Sequence, residues 1–421
     1  MKALTRPKTS VVLLLLSGTL IYYFANLQKV LVPGATFNEI QQLFSLDAAS
    51  VTKLGAVFMF IYAGAQLFVG VLADRYSGAK VIIFGGIAFV IGSIFSACDY
   101  SLNILYASRF LTGLGAATIY LSMVKEISLV TGKAMPMYLG IMTLIGYSGA
   151  ITGAAPFISG VKHFGYQKMM FSAGMATLMI YLIFVICFKK NPAPAVCKDV
   201  KLNITTLLSV LKIRHNVMLI LTLGLSFGSY FALQSILAKK FLEDFCQLSS
   251  KSAGLVMTVT MTIAAVNGFV VASISRVCGN RRRPVMLFCG WGCFTGMLMI
   301  FSAVLFNIRS PWLVIAGIVI LSFAGNVAPI SATFYKETNE PNKFGTVLSV
   351  SNFFAYIITA GMGSVSGKLM DLFPCQEING IYIYSRNSYL LVFAVFLGIG
   401  IISGTTSLFL RETYGKNISV K

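Results

Sequence analysis

GVLADRYSGAK, residues 70–80, sets an Asp-Arg pair and a turn between two nearly uncharged runs. Each run holds about twenty residues, the length that carries an α-helix across a hydrocarbon core of roughly 30 Å. A turn joining two membrane helices needs such flanks; a soluble hairpin does not. The rest of the chain repeats the pattern. Of its 421 residues, 57% are hydrophobic and 11% charged, with a mean hydropathy of +0.82. A folded soluble surface needs more polar groups than this composition supplies. The short alternating segments of a β-barrel do not occur. The expected class is an all-α polytopic membrane protein.

Apolar runs fall at 11–32, 51–73, 81–98, 103–125, 137–160 and 169–188, then at 216–238, 252–274, 285–306, 312–335, 345–367 and 388–410. That is six plus six. The first run follows Lys2, Arg6 and Lys8 without a small-residue cleavage site, so it reads as a retained span. With the N-terminus inside, 22 of the 33 Lys and Arg residues fall on the inner side and 10 on the outer, Arg109 alone lying within a span. This bias places both termini in the cytoplasm. Between the sets, KKNPAPAVCKDVK opens a linker, with a short amphipathic helix expected over 203–212. The expected domains are 1–190, a cytoplasmic linker at 191–215, and 216–421.

The net charge of +20 does not indicate nucleic acid, because the charges sit in loops without a continuous basic arm or base-stacking aromatics. The eight cysteines form no CxxC pair. Cys289 and Cys293 read as buried thiols within an apolar run, and the sequence leaves open whether Cys246 and Cys375 pair. No nucleophile–base cluster, metal-ligand spacing or phosphate loop appears, and His163 and His215 stand alone. Neither catalysis, a cofactor nor a metal is expected.

Shifted by 201 residues, DRYSGAK (74–80) lies over SRVCGNR (275–281), with Arg75 on Arg276, Gly78 on Gly279 and Lys80 on Arg281. A repeat after the second span of each half is the mark of a transporter built from two parallel halves. The loop resembles the G-x-L-x-D-R-x-G signature of the major facilitator superfamily at Gly70, Leu72, Asp74 and Arg75, with Ser77 where the last Gly usually stands. RFLTGLG (109–115), FGYQK (164–168) and RETYGK (411–416) resemble three further elements of that family. The resemblance covers essentially the whole chain. It implies two pseudo-symmetric six-helix bundles, transport by alternating access, a small-molecule substrate with a proton or sodium ion as possible coupling ion, and a monomer in a bacterial inner membrane.

It also implies that Asp74 accepts hydrogen bonds from a neighbouring helix end and from basic side chains when the cytoplasmic side is closed. Such charge-assisted bonds, made in one state and lost in the other, form a latch. Gly70, Arg75, Lys80, Glu126, Arg276, Arg281 and Glu337 are the other expected gate residues, Glu126 and Glu337 ending the fourth and tenth spans at matching places. Gly113, Gly115, Gly361, Gly363 and Gly367 are read as helix-packing positions.

Ionisable groups inside spans are costly and usually face a cavity. Lys29 shares a helical face with Tyr22 and Asn26, beside Tyr23, and Arg109 shares one with Gly113 and Tyr120. Tyr62, Gln66, Gln234, Asn326 and Asn352 complete the candidate substrate-binding set. Two cations without a carboxylate well inside any span point to an anionic substrate. The stretch from Tyr22 to Pro33 and YAGAQLFVG (62–70) are similar to the organic-anion branches of the superfamily. Drug or metabolite efflux, neutral amino-acid or sugar uptake, and a non-transporting receptor stay open. GYSGAITGAAP (146–156) has Pro156 after Ala, unlike the Gly-Pro element of drug antiporters, which weighs against efflux.

Overall fold

A computed structural model describes residues 9–131, 135–189, 209–340 and 344–418. Most of the 191–215 linker and of the expected 203–212 helix lies outside these residues, as does the side chain of Asp74. Among the described residues, twelve helices are long and apolar enough to cross a membrane. Spans 1 to 6 are Val11–Ala35, Ala48–Gly70, Gly78–Phe95, Leu102–Val130, Met137–Phe164 and Tyr166–Lys189. Spans 7 to 12 are Arg214–Asp244, Ser250–Val277, Arg283–Leu305, Pro311–Thr338, Phe344–Met370 and Arg386–Leu408. The fold is all-α and multi-pass.

Packing repeats with a period of six spans. Span 1 packs on spans 4, 5 and 6, and span 7 on spans 10, 11 and 12; span 4 packs on 2 and 3 as span 10 does on 8 and 9. Spans 3 and 6 pair, as do 9 and 12. Across the two sets, span 2 meets span 11 and span 5 meets span 8. Small residues permit these approaches. A Cβ added at Gly113 would lie 2.7 Å from the Phe58 carbonyl oxygen, and one at Gly115 would lie 2.4 Å from the Phe89 nitrogen. Gly363 and Gly367 also sit against neighbours, but Gly361 faces open space, contrary to its expected packing role.

Three prolines shape the spans. Proline lacks the N–H that would serve the carbonyl four residues back, and its ring crowds that carbonyl. Pro33 interrupts span 1 at Leu31–Ala35, with Val32 extended (φ −119°, ψ 117°). Pro156 separates Met135–Thr152 from Ala155–Phe164. Pro329 separates Pro311–Gly325 from Ala328–Thr338, leaving Asn326 extended (φ −119°, ψ 90°). Span 7 carries a π-turn at Leu233–Leu237, where span 1 has its own.

One end of the molecule carries a short helix, Phe37–Phe44, and a hairpin of β1 (Cys375–Ile378) and β2 (Ile381–Tyr384), none of it anticipated from sequence. We call this the hairpin face. The other end, the basic face, carries the turn at Ser77, residues 278–282 and the chain after Leu408. Lys239 and Lys240, read as outer-loop charges, extend span 7 at the hairpin face and are buried. Lys239 pairs with Glu39 at 3.2 Å and Lys240 with Asp244 at 2.9 Å. Cys246 and Cys375 are both free thiols, as are the buried Cys289 and Cys293.

The turn between spans 2 and 3 explains its own motif. A single residue, Ser77, separates the helices, with φ +82° and ψ 148°. That backbone favours glycine, because a Cβ is crowded there. The Ser77 hydroxyl accepts from the Lys80 N–H at 3.4 Å. Ser77→Gly is expected to stabilise the protein by about 1 kcal/mol, since so long a cap is a small loss. A melting temperature equal to or below that of the parent would overturn this. The second loop is built differently. Span 8 ends at Val277 and span 9 starts at Arg283, and Gly279 (φ +74°) sits in the loop where Gly78 begins a helix. The two loops correspond in place, not residue by residue.

Candidate substrate site

Between the two sets of spans lies a cavity of about 140 Å³, adjoined by one of about 60 Å³. Its wall is tyrosine-rich: Tyr22, Tyr62, Tyr120, Tyr147 and Tyr356, with Phe227 beside them. Asn326, Asn352, Ser331 and Ser351 supply the remaining polar wall, and Asn26 lines the smaller chamber. The break in span 10 therefore opens onto the cavity. Its freed carbonyls, those of Phe323 and Asn326, are served by span 8, accepting from the Asn267 side-chain amide at 2.6 and 3.0 Å, and the Asn326 side chain donates in return to the Ala264 carbonyl at 3.0 Å.

Tyr356 is the hub. Its ring lies 4.5 Å from that of Tyr62, centroid to centroid, and edge-on to Phe227 and Phe231. Lys29, on the last regular turn before Pro33, is buried and lies behind these rings. Its ammonium is 4.2 Å from the Tyr62 centroid and 5.2 Å from that of Tyr356, and donates to the Tyr356 hydroxyl at 3.3 Å. Both ring faces attract the cation. No described carboxylate pairs with Lys29. The contact joins span 1 to span 11, so it ties the two sets together.

Of the expected substrate residues, Tyr22, Tyr62, Tyr120, Asn326 and Asn352 line the main cavity and Asn26 the smaller one. Others do not. Arg109 is fully buried away from the cavity: it donates to the carbonyls of Gln28 (3.1 Å) and Leu54 (3.4 Å) and stacks on Phe58 at 4.5 Å. Tyr23 packs edge-on against Phe24. Gln234 donates to Thr260 and the Met257 carbonyl. Gln66 is buried with neither amide atom hydrogen-bonded. Sequence reasoning missed Tyr147, Phe227 and Tyr356; the last lies one helical turn from Asn352, a spacing that was there to be read.

On the basic face the expected gate carboxylates bind within their own set of spans. Glu126 accepts from the Ala79 N–H at 2.8 Å, capping span 3. Glu337 accepts from the Arg282 guanidinium at 3.0 Å and from the Thr413 hydroxyl at 2.6 Å. Arg281, the expected partner in this loop, is exposed, as are Arg75, Lys80 and Arg276. The buried arginine is its neighbour. Glu412 takes the capping role at span 9, accepting from the N–H groups of Arg282 (2.7 Å) and Arg283 (3.0 Å).

Partial burial pushes the Glu412 carboxyl up, but the N–H groups of Arg282, Thr413, Tyr414 and Arg283 outweigh it and hold it below the usual carboxylate range. A carboxyl so lowered stabilises the fold above its unfolded value, and the contribution disappears as pH falls through the lowered one. The melting temperature of Glu412→Gln should therefore lie below that of the parent at neutral pH and converge with it in acid. Parallel curves would overturn this assignment.

Twelve spans around a tyrosine-lined cavity mark a polytopic membrane protein. The chain matches the sequence profile of the Major Facilitator Superfamily over residues 14–364 and belongs to that superfamily. It is similar to the methyl viologen resistance protein SmvA of Salmonella typhimurium, 28% identical over 153 residues, or 35% of this chain and 28% of that protein. It is also 28% identical over 172 residues to the multidrug resistance protein MdtL of Escherichia coli, covering 38% of this chain and 43% of that one. The choline/ethanolamine transporter flvcr2a of Danio rerio is 26% identical over 215 residues, 48% of this chain and 44% of its own length. The matches thus span less than half the length of these relatives.

Proposed function

We propose that this protein is a secondary active transporter that carries a small organic anion across the membrane by alternating access. Lys29 is the observation that carries the substrate class. A buried ammonium without an anionic partner is costly. A carboxylate or phosphate on the substrate would supply the missing charge, and the tyrosine hydroxyls and the Asn352 amide can donate to it. We further propose bundles at 1–190 and 216–421 joined by a cytoplasmic linker, with the basic face inside a bacterial inner membrane, as the charge bias favours. The carrier works as a monomer, with a proton or sodium ion as coupling ion.

The second reading is efflux of organic cations. The names of SmvA and MdtL support it, as does the attraction of tyrosine faces for cations. Counterflow in proteoliposomes separates the two, using labelled benzoate, glycerol phosphate, alanine, glucose, choline and methyl viologen. Exchange confined to the anions is expected. Exchange confined to choline or methyl viologen would replace the anion reading with the cation one, and no exchange of any solute would favour a receptor.

A further inference from the structure

The loop signature has a third relative in the chain, at the far end of span 11. Gly367, Leu369 and Asp371 in GKLMD (367–371) repeat the spacing of Gly70, Leu72 and Asp74 in GVLAD (70–74). The two stretches end neighbouring helices that run in opposite directions, so one lies at the basic face and the other at the hairpin face. Asp371 Oδ1 accepts from the Ala48 N–H at 3.0 Å and Oδ2 from the Ala49 N–H at 2.7 Å. These are the first two residues of the span 2 helix, where N–H groups are unsatisfied and the helix dipole is positive. One turn back, Gly367 lets the backbones touch: a Cβ there would lie 2.0 Å from Thr52 Oγ1 and 2.6 Å from the Ala48 carbonyl oxygen.

We propose that Asp371 is a latch for the hairpin face, the counterpart of Asp74 on the opposite side of the same helix pair. It bridges the two sets of spans, and so must let go when that face opens. Its neighbours act with it: Lys239 holds Glu39 and the Ala35 carbonyl, and Glu243 accepts from Asn38 at 2.7 Å. The cis cap from Asp47 to the Ser50 N–H stays with span 2 in either state, which leaves the trans carboxylate as the state-dependent one. This inference is independent of the substrate's charge.

Thr52 is buried beneath the latch and reports on it. In the reconstituted T52C protein, labelling at position 52 by a membrane-impermeant maleimide is followed by mass spectrometry, with the exposed Cys375 and the buried Cys289 as internal references. Adding D371N should raise labelling at position 52 about tenfold, the scale of a lost helix cap, with Cys289 still protected. Adding D74N instead should lower it. An unchanged rate with D371N, or a rise with D74N matching that of D371N, would overturn the proposal. If D371N exposes Cys289, A48P decides. Proline is tolerated at the first helical position and deletes one of the two N–H donors, so an unchanged rate in A48P would also overturn it.

Discussion

Replacing Lys29 with Gln is expected to lower counterflow of organic anions by about 100-fold, the cost of removing one partner from a buried charge pair, roughly 3 kcal/mol. Gln keeps much of the length and a donor for Tyr356 but not the charge. Lys29→Arg should retain part of the activity, because the charge persists while the planar guanidinium fits the gap between Tyr62 and Tyr356 differently. Tyr356→Phe removes the hydroxyl that holds the ammonium at 3.3 Å and keeps the ring. It should cost less, about tenfold, the low end for a hydrogen bond to a charged group, because both aromatic faces still hold the cation. The cation reading makes the opposite forecast. There Lys29 competes with the substrate for the two aromatic faces, and Lys29→Gln would raise methyl viologen exchange. That result, or anion exchange unaffected by Lys29→Gln, would end the anion proposal.

Glu337→Ala should be the most destabilising single change on the basic face. The carboxylate is buried with Arg282, and breaking such a pair from one side costs about 3–5 kcal/mol, since the remaining charge is stranded. Arg282 cannot readily escape, because its backbone N–H is held by Glu412 and its Nη1 donates to Ser275 at 2.8 Å. Thr413→Val deletes only a hydroxyl that donates to the same carboxylate and should cost about 1.5 kcal/mol. Thermal melts in detergent should rank Glu337→Ala lowest, then Thr413→Val, then the parent. A Glu337→Ala melting point equal to that of Thr413→Val would show that the pair contributes no more than a hydroxyl. Matched placement of Glu126 and Glu337 in the sequence pointed to these positions, but not to their partners.

The spans were legible because each is a local property: about twenty apolar residues closed by a turn or a charge. Packing glycines at 113, 115, 363 and 367 were legible for the same reason. What failed was decided between distant segments. Arg109 looked like a site residue because a buried arginine is costly, yet the carbonyls of Gln28 and Leu54 hold it from two other spans. Lys239 looked like a loop charge because nothing local marks Glu39 as a partner 200 residues away, whereas the partner of Lys240, Asp244, stood one helical turn along. In the Arg281–Arg283 run no periodicity tells which arginine turns inward; a left-handed turn at Gly279 and Asn280 decides it. Tyr147 carried no signal because tyrosines within membrane helices are as often packing as lining, and Tyr356 carried only its one-turn spacing from Asn352.

The π-turns of spans 1 and 7 meet each other, and the meeting is nearly bare backbone. A Cβ on Gly34 would lie 2.5 Å from the Ser235 carbonyl oxygen, and Gly34 and Ser235 are themselves 201 residues apart, the offset of the internal repeat. On the two-bundle reading, this is a position touching its own duplicate. In a symmetric dimer of half-length chains that position would face itself, and one residue type would have to suit both sides. Fusion lifts that restriction: one copy keeps the glycine that permits approach, and the other is free to acquire a side chain. A gene duplication thereby turns a matched seam into a mortise and tenon, and a large side chain at residue 34 should wedge it apart.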